Sequence, residues 1–227
     1  MSPAAAPALT RVEVLRWIED VGVVPVVRAP SAALAVRAVE ALLAGGISVF
    51  EITMTVPGAV GVIAELAGRY RGRAVVGAGT VLTAAHATAC LDAGALFIVS
   101  PGFDPQTVAT ARARDVAVMP GALTPTEILA AQAAGADMVK IFPCSALGGA
   151  KYLKALRGPL PDVKLLPTGG VNASTAADFI AAGASAVGVG SELVDVQALA
   201  VPGGDAVITE RARELLEVVR RARAART

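Results

Sequence analysis

Hydrophobic positions along this 227-residue chain form eight short apolar runs, which alternate with longer alanine-rich segments. Apolar runs of this length, bounded by Gly, Pro or polar residues, are typical of buried strands. The predicted strands are Val23–Arg28, Ile47–Thr53, Ala74–Thr80, Leu96–Ser100, Val116–Pro120, Met138–Phe142, Lys164–Thr168 and Ala186–Gly190. The segments between them predict helices that begin near Ser31, Pro57, Thr83, Pro105, Pro125, Gly149 and Ser174, several with a cap or Pro signal such as Asn172.

This alternation predicts an α/β fold. Strands that are apolar almost throughout indicate a parallel sheet covered by helices on its faces. Four helices end at a glycine that leads directly toward a strand, as a left-handed C-cap does; these are Gly46, Gly94, Gly135 and Gly183. No Gly-x-Gly-x-x-Gly follows the first strand, which argues against a dinucleotide-binding sheet. We therefore predict one (β/α)₈ TIM barrel domain over residues 1–227.

Three segments flank or extend the predicted barrel. Residues 1–9 predict a loose tail rather than a signal peptide, because they lack a basic start and a sustained apolar run. Residues 10–20 predict an extra N-terminal helix, capped by Thr10 with Glu13 as its capping-box partner. Residues 205–227 predict an Arg-rich amphipathic helix with a solvated face.

Composition narrows the function. The chain is 55% hydrophobic and 17% charged, with a net charge of +1, so neither nucleic acid nor a membrane surface is the expected partner. Its two cysteines, Cys90 and Cys144, form no disulfide framework and suit a reducing cytosol. No apolar run approaches the ~20 residues of a membrane span. We expect a cytoplasmic protein that acts on a small molecule.

The sixth predicted strand carries a lysine in an apolar setting. Alternation along the strand places Met138, Lys140 and Phe142 on one face. Burial disfavours a charged ammonium, and the neutral amine is the form that attacks a carbonyl to make a Schiff base. On this stretch alone, a lysine that reaches solvent from the strand end is the alternative.

Two further charges share the inward phase of their strands. Arg28 is in phase with Val24 and Val26 on the first strand, and Glu51 with Val49 on the second. An arginine, a carboxylate and an amine suit Schiff-base chemistry on an α-keto acid. Lys140 would form the imine, Glu51 would move protons and Arg28 would hold the carboxylate. A structural ion-pair network is the competing interpretation.

Glycine-rich loops follow the last two strands and predict a phosphate site. Thr168-Gly169-Gly170 and Gly190-Ser191 would let backbone N–H groups approach an anion where barrels commonly bind phosphate. After the third strand, Thr80 is a candidate hydroxyl donor to substrate. Tight turns without a ligand are the alternative.

Metal and thiol chemistry are not expected. His86 and Cys90 lie four residues apart on one predicted helix, but no third ligand is evident, so we predict no metal site and no cofactor. Cys144 follows a strand directly. It has no histidine partner other than His86, which argues against a nucleophilic role.

Along nearly its whole length the chain resembles the 2-keto-3-deoxy-6-phosphogluconate (KDPG) / 4-hydroxy-2-oxoglutarate (KHG) aldolases, which are class I lyases with a (β/α)₈ barrel. The matching stretches are VVPVVRA, GGISVFEITMTVPGA, VGAGTV, FIVSPGFD, MPGALTPTE, DMVKIFP, LPTGGV and AVGVGSELV. The resemblance implies that Lys140 is the Schiff-base lysine and Glu51 the general acid/base. It also implies a keto-acid pocket lined by Thr80, Pro101 and Phe142, a phosphate held by Thr168, Gly169, Gly170, Gly190 and Ser191, no metal, and a homotrimer.

One position departs from part of this family. Some members carry an arginine four residues after the glutamate, where this chain has Thr55; other members share Arg28 instead. We therefore assign the carboxylate to Arg28, with Thr55 at the neighbouring strand end. The resemblance also implies that Thr168 favours the gluconate substrate, since the similar phosphogalactonate aldolases tend to lack a threonine before Gly-Gly.

Two other classes share parts of this pattern. A phosphosugar epimerase would keep the phosphate loops without needing an imine at Lys140. A non-catalytic phosphosugar-binding barrel would keep the loops beside an idle lysine.

Overall fold

The structure, a computed structural model, describes residues 9–226. The helices are α1 (Arg11–Val21), α2 (Ala32–Ala44), α3 (Ala59–Arg69), α4 (Ala84–Asp92), α5 (Pro105–Ala113), α6 (Pro125–Ala133), α7 (Ala150–Arg157), α8 (Ala176–Ala181) and α9 (Gly204–Ala224). The strands are β1 (Val23–Val27), β2 (Val49–Thr53), β3 (Val75–Gly79), β4 (Phe97–Val99), β5 (Ala117–Met119), β6 (Gly121–Ala122), β7 (Val139–Ile141), β8 (Leu165–Pro167) and β9 (Val187–Val189). Apart from Leu9, the predicted tail lies outside the described residues.

The strands form two parallel sheets. One has six strands in the order β5-β4-β3-β2-β1-β9 and the other three in the order β6-β7-β8. The sheets adjoin at both edges. A parallel bridge joins Thr168 to Gly188 beside β8 and β9, and Pro120 alone separates β5 from β6. The parallel α/β class is confirmed.

The eight predicted strands do not form one continuous sheet but two, and Pro120 explains part of this difference. The fifth predicted strand, Val116–Pro120, contains β5, and the separate strand β6 follows Pro120, because proline has no N–H to donate to the ladder. Its carbonyl still pairs, accepting a hydrogen bond from the Lys140 N–H at 2.9 Å. The chain direction therefore continues through the break.

Most helices begin where the sequence predicts. Thr10 caps α1 and forms the predicted capping box with Glu13. Asn172, a predicted cap, does not sit directly at a helix start: its Oδ1 accepts from the N–H groups of Ser174 and Thr175, and α8 begins only at Ala176. A short polar turn therefore precedes α8.

Glycine ends four of the helices in the left-handed conformation that the sequence predicts. Their φ angles lie between +93° and +101°, a region that costs little for glycine and much for residues with a Cβ. The four are Gly46, Gly94, Gly135 and Gly183. Each turns the chain from a helix back toward the sheet.

The buried residues form two clusters, one on each face of the strands. The inner cluster contains Val24, Val49 and Met138, which are the residues predicted in phase with Arg28, Glu51 and Lys140. Val14 and Ile18 of α1 pack into the same cluster, so α1 covers the end where the strands begin. The outer cluster contains the opposite phase and packs under the other helices. The opposite, carboxyl end of the strands is the one that α1 leaves uncovered.

Helix α9 packs against α2 and α8, with Ile208, Leu215 and Val219 buried. Its outer face is solvated, as predicted: Glu217 pairs with Arg220 and Arg221, whose hydrogen bonds and charges lower the pKa of Glu217 to about 2. Among residues 9–226, no helix is long and apolar enough to cross a membrane.

Candidate active site

A cavity of about 280 Å³ opens at the carboxyl ends of the strands. Ten of the twelve residues predicted for the site line it: Arg28, Thr80, Pro101, Lys140, Phe142, Thr168, Gly169, Gly170, Gly190 and Ser191. Glu51 contacts Lys140 rather than the cavity itself. Thr55 does not line the cavity; it is exposed, and its hydroxyl lies 2.8 Å from that of Thr53. The topology thus assembles residues that are far apart in sequence.

Lys140 and Glu51 form the centre of the site. The Lys140 side chain is 7% exposed and its Nζ lies 3.6 Å from Oε1 of Glu51, whose side chain is 1% exposed. That distance is an ion-pair contact beyond hydrogen-bond length, and Oε1 has no hydrogen-bond partner among the described residues. Burial raises the pKa of the Glu51 carboxyl, and the charges of Lys140 and Arg28 oppose this rise only in part. The Glu51 carboxyl therefore keeps its proton to a higher pH than an ordinary glutamate does.

Gly79 makes room for this carboxylate. A Cβ at Gly79 would lie 2.4 Å from Oε1 of Glu51, closer than any real contact. Gly79 and Thr53 are partners in the register between β3 and β2, two residues beyond Glu51 and Gly77. The motif Gly77-Ala78-Gly79-Thr80 contains this glycine, but only the structure shows that the Glu51 carboxylate fills the space where a side chain at position 79 would lie.

Arg28 follows β1 and is exposed toward the cavity. Its Nη2 lies 3.5 Å from Oγ1 of Thr80, at the end of β3. Thr80 adopts a φ of +56°, a left-handed conformation that is costly for a β-branched residue. The Thr80 hydroxyl accepts from the guanidinium, so these two residues form one polar part of the cavity wall.

The two glycine-rich loops form a further part of the cavity wall, and Gly190 and Ser191 also border a neighbouring cavity together with Arg28. Gly169 and Gly170 have φ angles of +93° and +75°, which residues with a Cβ rarely adopt. A Cβ on Gly170 would also lie 2.5 Å from Cβ of Ser145. Gly190 has no such constraint, because a Cβ there would meet nothing within 4 Å. The loop after β8 therefore requires its glycines for shape, whereas Gly190 leaves space open.

Thr168 is held in place at the junction of the two sheets. It is 6% exposed, and its N–H donates to the Ile141 carbonyl at 2.9 Å. Its Oγ1 occupies the space of the missing side chain of Gly188, where a Cβ would lie only 2.1 Å away. Sequence reasoning assigned no role to Gly188, and the Gly-x-Gly pattern of β9 was the available signal.

Four cavity residues were not predicted: Val26, Val171, Gly188 and Glu192. Val26 had been placed on the inward phase of β1 without a role. Glu192 directly follows Ser191, yet nothing in the sequence shows whether its side chain faces the cavity. An acidic side chain in this wall changes the electrostatics of the predicted phosphate site.

Phe142 forms a partly exposed wall, with 38% of its surface accessible. The Lys140 Nζ lies 5.4 Å from the centre of its ring, within the range of a cation–π contact. Cys144, two residues on, is buried, and burial raises the pKa of its thiol to about 11. Among the residues described, no group of three His, Cys, Asp or Glu side chains could hold a metal ion.

A larger cavity of about 610 Å³ lies between α1 and α9, lined by Trp17, Leu216 and Arg223 among others. It contains no buried lysine–carboxylate pair. Lys140 and most of the other predicted site residues line the cavity at the carboxyl ends of the strands, which we call the active-site cavity.

A parallel α/β fold with a buried lysine and carboxylate at its strand ends is the arrangement of a carbon–carbon lyase of the aldolase class. A family model described as KDPG and KHG aldolase matches residues 14–209. The chain belongs to the KDPG and KHG aldolase family.

Individual proteins agree with this assignment. The chain is 35% identical over 208 residues to the 2-dehydro-3-deoxy-phosphogluconate aldolase of Treponema pallidum, covering 92% of this chain and 98% of that one. A solved structure described as native KDPGal superposes with a TM-score of 0.80 at 30% identity, covering 89% and 96%. The KDPG aldolase of Legionella pneumophila, solved with pyruvate captured as a covalent carbinolamine, gives a TM-score of 0.75 at 28% identity, covering 92% and 97%.

Proposed function

We propose that this protein is a class I aldolase that cleaves KDPG to pyruvate and glyceraldehyde 3-phosphate through a Schiff base at Lys140. We propose further that it cleaves 4-hydroxy-2-oxoglutarate to pyruvate and glyoxylate. The single observation that carries the proposal is the buried Lys140 amine in the cavity wall, 3.6 Å from an unsatisfied Glu51 carboxylate oxygen. The covalent pyruvate adduct of the similar Legionella enzyme supports it.

The first step needs a neutral amine and a fixed keto acid. Arg28 and Thr80 offer a guanidinium and a hydroxyl to the substrate carboxylate, which would orient C2 toward Lys140. The Lys140 amine adds to C2 to give a carbinolamine, and loss of water then gives the imine. Glu51 gives up and receives the protons of these steps, since its raised pKa keeps the proton available.

The second step breaks the C3–C4 bond. A base removes the proton of the C4 hydroxyl, the electrons of the C3–C4 bond move into the protonated imine, and the aldehyde leaves. The resulting enamine is protonated at C3, and water then adds to the imine to release pyruvate and regenerate Lys140. Glu51 is the only carboxylate that contacts the lysine within the described part of the chain, so we assign it both proton transfers.

Phosphate is assigned to the loops Thr168–Gly170 and Gly190–Ser191 because both loops border the cavity that contains Lys140. Thr168 is the residue that favours the gluconate over the galactonate epimer at C4. The similarity to the KDPGal structure keeps the galactonate substrate as a second candidate. Comparing kcat/KM for the two epimers separates them.

The assembly belongs to the same proposal. The bridge between Thr168 and Gly188 and the continuous chain through Pro120 support reading the two sheets as one (β/α)₈ barrel domain over residues 1–227. We propose that this domain forms a cytoplasmic homotrimer, as its family resemblance implies. Sedimentation equilibrium of the purified protein tests the trimer.

The test of the activity is release of pyruvate and glyceraldehyde 3-phosphate from KDPG, followed with a lactate dehydrogenase couple. Wild type should turn over, and Lys140→Ala should not. Turnover by Lys140→Ala would remove the Schiff base from the account. An epimerase would instead invert a sugar phosphate without needing Lys140, and a binding protein would turn over neither.

A further inference from the structure

The charged side chains in the wall of the active-site cavity are unevenly placed. Among the described residues that line it, the cations are Arg28 and Lys140, and the anion is Glu192. Arg28 bonds Thr80 and also borders a neighbouring cavity together with Gly190 and Ser191, whereas Lys140 contacts Glu51. The loops assigned to phosphate themselves contribute glycine backbone, two hydroxyls and the Glu192 carboxylate.

A short turn fixes the position of Glu192. The Gly190 carbonyl accepts hydrogen bonds from the N–H groups of Leu193 at 3.0 Å and Val194 at 2.9 Å. Glu192 lies on this turn, two residues beyond Gly190, and is exposed. Glu192 lines both the active-site cavity and a second cavity of about 240 Å³, which Arg211, Glu214 and Leu215 of α9 also line.

Among the residues that the structure describes, no cation forms an ion pair with the Glu192 carboxylate within 4.0 Å. The nearest bonded arginine, Arg211, reaches only its main-chain carbonyl, at 3.4 Å, and its guanidinium pairs instead with Asp195 at 3.5 Å. Glu192 therefore presents a free negative charge beside the Gly190–Ser191 loop.

A sugar phosphate carries close to two negative charges at neutral pH. Backbone N–H groups of glycine loops attract such a group, whereas a carboxylate in the same cavity wall repels it. Glu192 is exposed, so water and salt weaken the repulsion without removing it. The balance predicts weaker phosphate binding than the loops alone would give.

We propose that Glu192 is a specificity-determining residue that lowers the preference for a phosphorylated distal end. The same site then accepts 2-keto-3-deoxy sugar acids whose distal end carries little or no charge. This inference rests on the proposed function, which assigns the two loops to phosphate. Glu192 acts on the distal end of the substrate and takes no part in imine formation.

Binding of glycerol 3-phosphate tests the charge effect without chemistry. Calorimetric titration at low salt should show Glu192→Gln binding about 3–10-fold more tightly than wild type, with the difference shrinking at high salt. Glu214→Gln is the matched control, because Glu214 lines the neighbouring cavity but not the active-site cavity. It should differ from wild type by less than about twofold, since its charge lies farther from the loops.

Equal or weaker binding by Glu192→Gln would overturn the proposal. So would absence of binding by both proteins, because there would then be no phosphate site for Glu192 to oppose.

Kinetics give the second readout. The ratio of kcat/KM for KDPG to that for 2-keto-3-deoxygluconate should rise in Glu192→Gln by a similar factor, through KM and not through kcat. Equal changes for both substrates would also contradict the inference. If wild type cleaves neither substrate, the proposed aldolase fails, while the glycerol 3-phosphate titration still decides the role of Glu192.

Discussion

The two ends of this sheet treat a buried carboxylate in opposite ways. At the end covered by α1, the Asp137 side chain is 6% exposed and its charge is satisfied: Arg11 pairs with it, Arg112 lies 3.4 Å away, and the Val118 N–H donates at 3.0 Å. At the open end, Glu51 is more deeply buried, and its Oε1 has no hydrogen-bond partner among the described residues. Within residues 9–226, its one ion-pair partner is Lys140, at 3.6 Å.

This contrast distinguishes a carboxylate that stabilises the fold from one that is available for catalysis. A buried carboxylate without hydrogen bonds is costly, and a fold that only needed rigidity would satisfy it as Asp137 is satisfied. The inner cluster around Val14 and Ile18 shows that the same interior can be filled entirely with apolar side chains. We therefore infer that the open end keeps Glu51 for proton transfer.

The largest effect should come from exchanging each carboxylate for its amide. Glu51→Gln keeps the shape but removes the base, so kcat should fall by about 10²–10⁴-fold. Asp137→Asn should instead lower the free energy of unfolding by about 1–3 kcal/mol, because charged hydrogen bonds are lost, with little change in kcat. Steady-state kinetics and urea unfolding of both variants measure the two effects. Near-normal kcat in Glu51→Gln would make Glu51 a structural partner only.

Arg28 tests whether the open end also holds the substrate carboxylate. Arg28→Ala should cost about 2–5 kcal/mol in kcat/KM, because the ligand charge is left poorly paired. Lysine should not restore it, since it lacks the planar fork.

The matched control for Arg28 is Arg69→Ala, a change at a surface arginine that pairs with Glu40 away from the cavity. It should leave kcat/KM near the wild-type value. If Arg28→Ala retains full activity, some other group binds the carboxylate.

Two glycines of β3 allow a sharper comparison on one strand. A Cβ on Gly79 would meet Glu51, and a Cβ on Gly77 would lie 2.3 Å from the Phe97 ring of the inner cluster. Gly79→Ala should therefore lower kcat about 10–100-fold by displacing the carboxylate. Gly77→Ala should lower the free energy of unfolding by about 1–3 kcal/mol through overpacking. The comparison fails if both variants lose stability equally and keep the same kcat.

The smallest expected effect is on the pH dependence of stability. The pKa of Glu51 is raised in the folded state above its ordinary 4.5, so its favourable contribution is complete below that value and is lost as pH rises through the folded pKa. Glu51→Gln lacks this loss. Its melting temperature should therefore gain on wild type by a few degrees between about pH 4 and pH 8. A constant difference across that range would mean that the Glu51 charge carries no net cost.

The sequence predicts the charged residues at the open end of the sheet better than those at the end covered by α1. Strand alternation alone brought Arg28, Glu51 and Lys140 onto one face, because parallel strands align their carboxyl ends. The pairing of Asp137 with Arg11 joins residues 126 positions apart, and no local pattern signals such a contact.

Three local features that the sequence pattern did not reveal have physical causes. A proline can end a strand or lie within one that continues past it, so the sequence pattern does not predict the break between β5 and β6 at Pro120. Thr55 was placed by family correspondence, yet its side chain bonds Thr53 and stays out of the cavity wall. Glu192 lines the cavity because of the turn that follows Gly190, and the residues Gly190-Ser191-Glu192 do not by themselves specify the geometry of that turn.

Borohydride reduction in the presence of pyruvate tests the central claim most directly. Trypsin cuts after Lys and Arg, so a reduced adduct on Lys140 should block cleavage there and leave a peptide spanning residues 115–151 that carries one pyruvate-derived group. Lys164→Ala, which removes a lysine paired with Glu19 at the closed end, should give the same adduct, and Lys140→Ala should give none. An adduct on any other lysine, or one that persists in Lys140→Ala, would contradict the account.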